Sequence, residues 1–392
     1  MAALEGMRVL DMTQYEAGTS CTQYLAWLGA DVVKVEGPSG DPGRQVRGET
    51  VSQYFLNYNS NKRSVVLNLA SSEGRELLLQ MAPHYDVFVE NYGPGVIEKL
   101  NIGYDVLGEL NPGLIYARIK GFGLTGPYAN YKSYDWVAQA SAGTFSVTGE
   151  VDGPPTVVGP TIGDTGTGIQ MALAITSAYV QKLRTGKGQF IEISMQEAVT
   201  MFMRTLGLAE WGTAPQPRTG NRRGMPTAVY PCAGGGPNDY LFIMVVTSRM
   251  WDTLCAAIGQ PELASDPKFE TGVARVENAE ELFEIIASWT RQYSKHEAMR
   301  ILGEAGVPCS AVMDTLDLFT DPHLTERGLI HTVDHETAGP RTVMGSPLRM
   351  SESKVEVRAA PTLGKHTREV LTADLGLDDS TLQALREKGA IA

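Results

Sequence analysis

Apolar positions in the first 120 residues fall into short runs separated by stretches with helical spacing. Residues 7–12 and 31–36 read as strands, each a run of four to six positions rich in Val, Leu and Met. Residues 21–28 between them carry apolar side chains three and four apart. The pattern recurs: a strand at 64–69 precedes a helix at 72–81, a strand at 86–90 precedes a helix at 95–100, and a strand at 113–119 follows. Strands that alternate with helices predict a parallel sheet covered on both faces, an α/β fold whose ligands sit at the carboxyl ends of the strands.

Beyond a Gly/Pro-rich passage at 149–163, residues 165–183 give the longest buried-helix pattern in the chain. Residues 212–226, rich in Pro, Gly and Arg, read as a linker. From 228 to about 308 the pattern changes to a smaller α+β unit, with a strand at 240–246 and helices near 250–258, 279–293 and 296–305. The helix beginning at Thr367 reads as a return to the first domain. The expected organisation is a large domain over 1–211, the linker 212–226, a small domain over 227–325, and a linker with C-terminal return over 326–392.

A chain of 392 residues is long enough for two domains with separate cores. Apolar residues make up 43% and charged residues 20%, and no apolar stretch reaches the length of about 20 residues that a membrane-spanning helix needs. The first residues lack a basic segment followed by an apolar one, so a cytoplasmic protein without a membrane partner is expected. A net charge of −12 argues against nucleic acid as a partner. Cys21, Cys232, Cys255 and Cys309 are scattered without metal-binding spacing and read as reduced and structural.

Residues 121–126, GFGLTG, fit the glycine pattern of a dinucleotide-binding loop, but Pro127, Tyr128 and Ala129 follow without helical periodicity. The fingerprint needs a helix whose first amides meet the pyrophosphate, so this match is read as a decoy. Asp164 stands between Gly163 and Gly166 at the start of the long helix. Two readings are open: an ordinary cap, or a nucleophile whose anion is favoured by the helix N-terminus, with the glycines admitting a substrate. Asn91, Tyr92 and Gly93 end a strand where a ligand would sit, or form an ordinary connection. Arg44, Arg47, Lys62, Arg63, Lys99 and Lys132 fall beside strand termini, and about half are expected to meet phosphate rather than water.

Several stretches together resemble the family III CoA-transferases: AGTSCTQYLAWLGADVVKVE at 17–36, NSNKRS at 59–64, VENYGPG at 89–95, RTGKGQ at 184–189 and GKHT at 364–367. Their shared order runs nearly from end to end. The resemblance implies a Rossmann-like large domain joined to a smaller α+β domain, two subunits interlocked as a homodimer, and CoA or acyl-CoA as substrate with no permanently bound cofactor and no metal. It places the nucleophile at Asp164, with Glu16 near the thioester where formyl-CoA-using members carry glutamine, Tyr134 as the active-site tyrosine, and Gly224 in a loop over the site. For CoA it implies Tyr15, Ala17, Arg44, Asn91, Tyr92, Gly93, Lys99, Leu100, Lys132 and Met195.

The implied reaction moves CoA from an acyl-CoA donor to a free carboxylic acid through aspartyl anhydride and aspartyl thioester intermediates. Amides of Gly163, Gly166, Gly168 and the Gly224 loop are the expected oxyanion donors. Arg222 and Arg223 are read as partners for the far carboxylate of a dicarboxylic acid, since a guanidinium suits two-point carboxylate binding. The alternatives are an α-methylacyl-CoA racemase and a non-catalytic CoA-binding protein. The racemase needs a histidine base where this chain has Tyr134, and a phenol with an ordinary pKa of about 10 is a poor base at neutral pH.

Overall fold

The computed structural model describes residues 1–48, 51–205 and 212–392, so the expected boundary at residue 211 lies outside the described residues. Six parallel strands form one sheet: β1 (Arg8–Met12), β2 (Asp31–Glu36), β3 (Arg63–Val66), β4 (Val87–Glu90), β5 (Ile115–Lys120) and β6 (Gln189–Ser194), in the order β3-β2-β1-β4-β5-β6. Side chains alternate across the sheet with the period of two that strands impose. Leu10, Met12, Val33, Val35, Phe88 and Tyr116 face one apolar core, while Val9, Val32, Val87, Val89, Ile115 and Ala117 face the other.

Helices cover both faces. On the first lie α3 (Ser72–Met81), α4 (Val96–Leu100) and α5 (Tyr104–Leu110), through Leu77, Leu78, Ile97 and Leu107. The C-terminal helices Thr367–Leu375 and Asp379–Glu387 add Val370, Leu371 and Leu382 to the same core. The other face is covered by α1 (Ala17–Trp27) and α7 (Asp164–Thr185) through Cys21, Leu25, Met171 and Ile175, with Ala138 of α6 (Asp135–Ser141). A further helix, α2 (Gln53–Asn59), packs Phe55 and Leu56 against Val333 and Val343 of the hairpin formed by Ile330–His335 and Gly339–Met344.

By contacts the chain divides into two units, the first of 1–145, 157–214 and 327–392, the second of 146–156 and 215–326. The second unit holds the antiparallel strands β7 (Ala228–Pro231), β8 (Tyr240–Ile243) and β9 (Cys309–Ala311), with helices Ser248–Ala257, Ala279–Thr290 and Lys295–Glu304 around Trp251, Leu254, Leu282, Ile286 and Leu302.

Two close approaches fix where α7 begins. A Cβ on Gly168 would lie 2.6 Å from the Ala17 carbonyl oxygen and 3.0 Å from the Cys21 nitrogen, so only glycine lets α7 touch the α1 backbone. A Cβ on Gly163 would lie 2.6 Å from the Asp135 carbonyl oxygen. Gly163 and Gly168 therefore admit neighbouring helices; at Gly166, read from sequence as admitting a substrate, a Cβ would meet the Phe202 ring at 3.0 Å. In Gly168→Ala the helix-propensity gain of about 1 kcal/mol is smaller than the overpacking cost of about 1–3 kcal/mol. A net loss of up to about 2 kcal/mol is expected in urea unfolding; a variant more stable than wild type, as helix propensity alone would give, would refute the packing argument.

Candidate active site

The strand order reverses direction between β1 and β4, and in open parallel sheets this switch point opens a crevice beyond the carboxyl ends of the strands. A cavity of about 440 Å³ lies there, lined by the turn after β1 (Gln14, Tyr15, Glu16, Ala17), the turn after β4 (Asn91, Tyr92, Gly93, Pro94), the end of β5 with Lys120, the loop bearing Tyr131 and Lys132, and by Tyr134, Asp164 and Met195. The stretch from 121 to 134 contains no helix, which accounts for the failure of GFGLTG as a phosphate loop.

Buried charges set the β1 turn. Asp11 is fully buried; its Oδ2 accepts from Lys62 Nζ at 3.0 Å and from the Thr22 hydroxyl at 2.7 Å, and its Oδ1 accepts from the Thr13 amide at 2.9 Å. Burial alone would raise its pKa, but the charges of Lys62 and Lys34 and the Thr13 and Thr22 hydroxyls bring it down to about 2. Lys34, also fully buried, pairs with Asp41 at 2.8 Å and donates to the Thr13 carbonyl at 2.7 Å. Asp41 Oδ1 accepts from the Tyr15 amide at 3.2 Å. These bonds hold Tyr15 at φ +58°, a conformation that non-glycine residues rarely adopt, and so deliver Glu16 to the start of α1.

The β4 turn is tied to the β1 turn. Asn91 Oδ1 accepts from the Gln14 amide at 2.8 Å, and its Nδ2 donates to the Gln14 carbonyl at 2.9 Å, so the Asn91 side chain grips the neighbouring backbone at two points. Tyr92 adds a bond from Gln14 Nε2 to its hydroxyl at 3.0 Å.

Three carboxyl groups meet at the start of α7. Asp164 is its first residue and makes no cap bond with its side chain; its own amide donates to Asp135 Oδ1 at 3.0 Å. Glu16 is 3% exposed, and its Oε1 accepts from the hydroxyls of Thr161 at 2.5 Å and Thr165 at 2.8 Å. Burial first, then the charges of Glu16 and Asp135, push the Asp164 carboxyl up to about 8. Burial also raises Glu16, against the hydrogen bonds from Thr161, Thr165 and Tyr58. The helix N-terminus, which favours the anion by about 0.3–2 kcal/mol, is thus outweighed by burial and the neighbouring carboxylates.

Tyr15, Glu16, Ala17, Asn91, Tyr92, Gly93, Lys132, Tyr134, Asp164 and Met195 all line this one cavity. Tyr134 is largely exposed and stands edge-on to Tyr15, ring centres 6.1 Å apart. Arg44, Lys99 and Leu100 are not among the lining residues. The Arg44 guanidinium is taken by Glu36, at 2.6 and 2.7 Å, and lies over Phe55; Lys99 and Leu100 sit at the far end of α4, of which Val96 lines the cavity. Lys62 is likewise spent on Asp11 inside the protein, and Arg63 pairs with Asp31 at the half-exposed surface. The Gly166 amide donates to the Ile162 carbonyl, which removes it from the expected oxyanion donors. Gly224, at φ +100°, belongs to the second unit with Arg222 and Arg223. Arg222 is paired there with Glu280 and lies over Phe283. Sequence reasoning missed Lys120, Asp135, Thr161 and Thr165. Lys120 ends a strand at the carboxyl edge, and the threonines flank Asp164 by three residues and one, signals that were present.

Residues 4–367 match the family described as CoA-transferase family III. The chain belongs to this family. It is a CoA-transferase, and its substrates are CoA thioesters and carboxylates. A formyl-CoA:oxalate CoA-transferase of Streptomyces coelicolor is 41% identical over 408 residues, covering 99% of both chains, and one of Rhodopseudomonas palustris is 38% identical over 416 residues, covering 100% of this chain and 97% of the other. Among solved structures, a CAIB/BAIF family protein from Brucella suis superposes with a TM-score of 0.84 at 31% identity, covering 95% of this chain and 99% of that one. A Mycobacterium tuberculosis protein does so with 0.81 at 28%, covering 94% and 98%. Among the described residues, no helix is long and apolar enough to cross a membrane.

An acid that titrates at about 8 becomes nucleophilic as pH rises. The kcat/KM of the transferase should fall about tenfold per pH unit below pH 8 and level above it. In Glu16→Gln, which removes a neighbouring negative charge, the midpoint should move to lower pH. Because the folded chain keeps this proton above the ordinary range of an Asp carboxyl, the stability of wild type relative to Asp164→Asn should drop as pH rises from about 4 toward 8. A flat rate profile from pH 6 to 9 would contradict the assignment.

Proposed function

We propose that the protein moves CoA from an acyl-CoA donor such as formyl-CoA or succinyl-CoA to a small free dicarboxylic acid, with Asp164 as covalent nucleophile. The observation that carries this reading is the Asp164 carboxyl in the wall of the switch-point cavity, buried beside Glu16 and Asp135. An Asp164 oxygen attacks the thioester carbon, the carbon–sulfur bond breaks, and CoA leaves as thiolate from an aspartyl–acyl anhydride. The thiolate attacks the aspartyl carbonyl, expelling the donor acid and leaving an aspartyl–CoA thioester. The acceptor carboxylate attacks that thioester, and the released thiolate then takes the acceptor acyl group from the new anhydride, regenerating Asp164. Every step exchanges one acyl bond for another, so no net proton or electron is consumed.

The relatives named formyl-CoA:oxalate CoA-transferase support a short dicarboxylate such as oxalate as acceptor. No histidine is among the cavity's lining residues, which weighs against the proton abstraction of a racemase. A homodimer is part of the proposal. Ile169, Leu173, Val180 and Leu183 recur at helical spacing along α7 and are exposed, and Met201 and Phe202 are exposed as well; a second copy would cover such a stripe.

Two measurements test this reading. Asp164→Ala should lower transfer by at least about a thousandfold while CoA still binds, and intact-protein mass spectra during turnover should show a CoA adduct that maps to Asp164. Turnover that survives the substitution would sink the nucleophile. Light scattering of the purified protein should give twice the chain mass, and Leu173→Glu should shift it toward the single chain; a monomeric wild type would refute the dimer.

A further inference from the structure

The cavity that Glu16 and Asp164 line also meets a buried ion pair that the covalent chemistry does not use. Glu90, the last residue of β4, is fully buried, and Lys120, the last residue of β5, is 8% exposed and lines the cavity. Lys120 Nζ lies 3.1 Å from the Glu90 carboxylate and donates to the Tyr92 carbonyl at 2.5 Å. Glu90 Oε2 accepts from the Tyr92 amide at 2.8 Å. The pair thus grips both backbone polar atoms of Tyr92, while Asn91 grips both backbone polar atoms of Gln14. Arg118 braces Glu90 from behind at 2.6 Å and reaches Glu98 of α4 at 2.9 Å.

Removing a buried lysine and its acid from water costs several kcal/mol per ion, and an apolar pair would fill the same space between two strands. What the ion pair adds is direction: one fixed orientation for the Tyr92 backbone and an ammonium held in the wall of the cavity that Lys132, Glu16 and Asp164 also line. We propose that Lys120 is a positioning residue for the CoA thioester, presetting the 91–93 turn with Glu90 and presenting its ammonium to oxygen atoms of the bound CoA. The inference rests on the reading of this cavity as the CoA site and extends it to a residue outside the expected set. Burial lowers the Lys120 pKa against the raising effect of Glu90, so the ammonium is more easily lost at high pH than that of a surface lysine.

The test compares Lys120→Met, Lys120→Arg and the double variant Glu90→Gln/Lys120→Met with wild type, measuring kcat and KM for the acyl-CoA donor and Kd for free CoA by calorimetry. Lys120→Met should raise KM and Kd about tenfold with kcat at saturating donor within about twofold. Lys120→Arg, which keeps the charge and a donor for the Tyr92 carbonyl, should recover most of the affinity. The double variant no longer leaves a buried acid without its lysine; it should regain thermal stability yet keep the raised KM, and it carries the test if Lys120→Met does not fold. An unchanged Kd for CoA in these variants, or a fall in kcat with KM unmoved, overturns the proposal. Loss of the Asp164 adduct in wild type would defeat the covalent reading but leave the CoA affinities to decide the role of Lys120.

Discussion

The first unit depends on a backbone contact. The N-terminal turn of α7 lies against the α1 backbone at a separation that no Cβ could occupy, through Gly168, and Gly163 seats the same turn against α6. Asp164 lies between those two glycines, so the contacts that anchor the helix also set its half-buried side chain in the cavity wall. Glu16 precedes α1 and Asp135 begins α6. Three acids are therefore brought together by backbone packing, and no cation offsets them among the groups that shift Asp164.

A cluster of that kind needs its surroundings held rigidly, because like charges in a low-dielectric site would otherwise separate or draw in water. The β1 turn supplies the rigidity with two fully buried ion pairs, Lys62 with Asp11 and Lys34 with Asp41, which bond further to Thr13, Thr19, Thr22, Tyr15, Gly43 and Asn59. Breaking such a pair costs about 3–5 kcal/mol because it strands a buried charge. The left-handed Tyr15 is the strained link that these bonds maintain. Lys62, a candidate for phosphate by sequence, is used here to shape a turn.

Much of this arrangement was written in the order of residues, and some of it could not be. Near-continuous apolar runs such as 7–12 and 31–36 disclosed the sheet because both faces of a parallel sheet are buried, and the 165–183 stretch disclosed α7 to within two residues at each end. Strand β6 went unread because it lies at the sheet edge and is half-buried, with Glu192 interrupting its apolar run. The helix Gln53–Asn59 and the hairpin 330–344 are too short and too polar to announce themselves. At the site, family resemblance located Asp164, Glu16 and the 91–93 turn. No local pattern could show that Arg44 would be consumed by Glu36, since that pairing depends on how the loop after β2 folds back. Nor could spacing reveal that Lys120 and Tyr92, 28 positions apart, would meet.

The raised titration of Asp164 is at first sight a handicap for a nucleophile, since at neutral pH only about a tenth of an acid with pKa near 8 is ionised. The balance changes when the proposed cycle is taken as a whole. Burial and the charges of Glu16 and Asp135 penalise the free carboxylate, but an aspartyl anhydride or thioester carries no charge on residue 164 and escapes that penalty. The same environment therefore raises the energy of the anion relative to the acylated forms and drives it toward covalent bond formation. The cost falls on the ionised fraction, at most about tenfold at pH 7. The gain applies to each step in which Asp164 becomes acylated. A well-solvated aspartate would be fully ionised but would have to surrender its hydration before each attack, and the burial that raises the Asp164 carboxyl has removed part of that hydration when the chain folds.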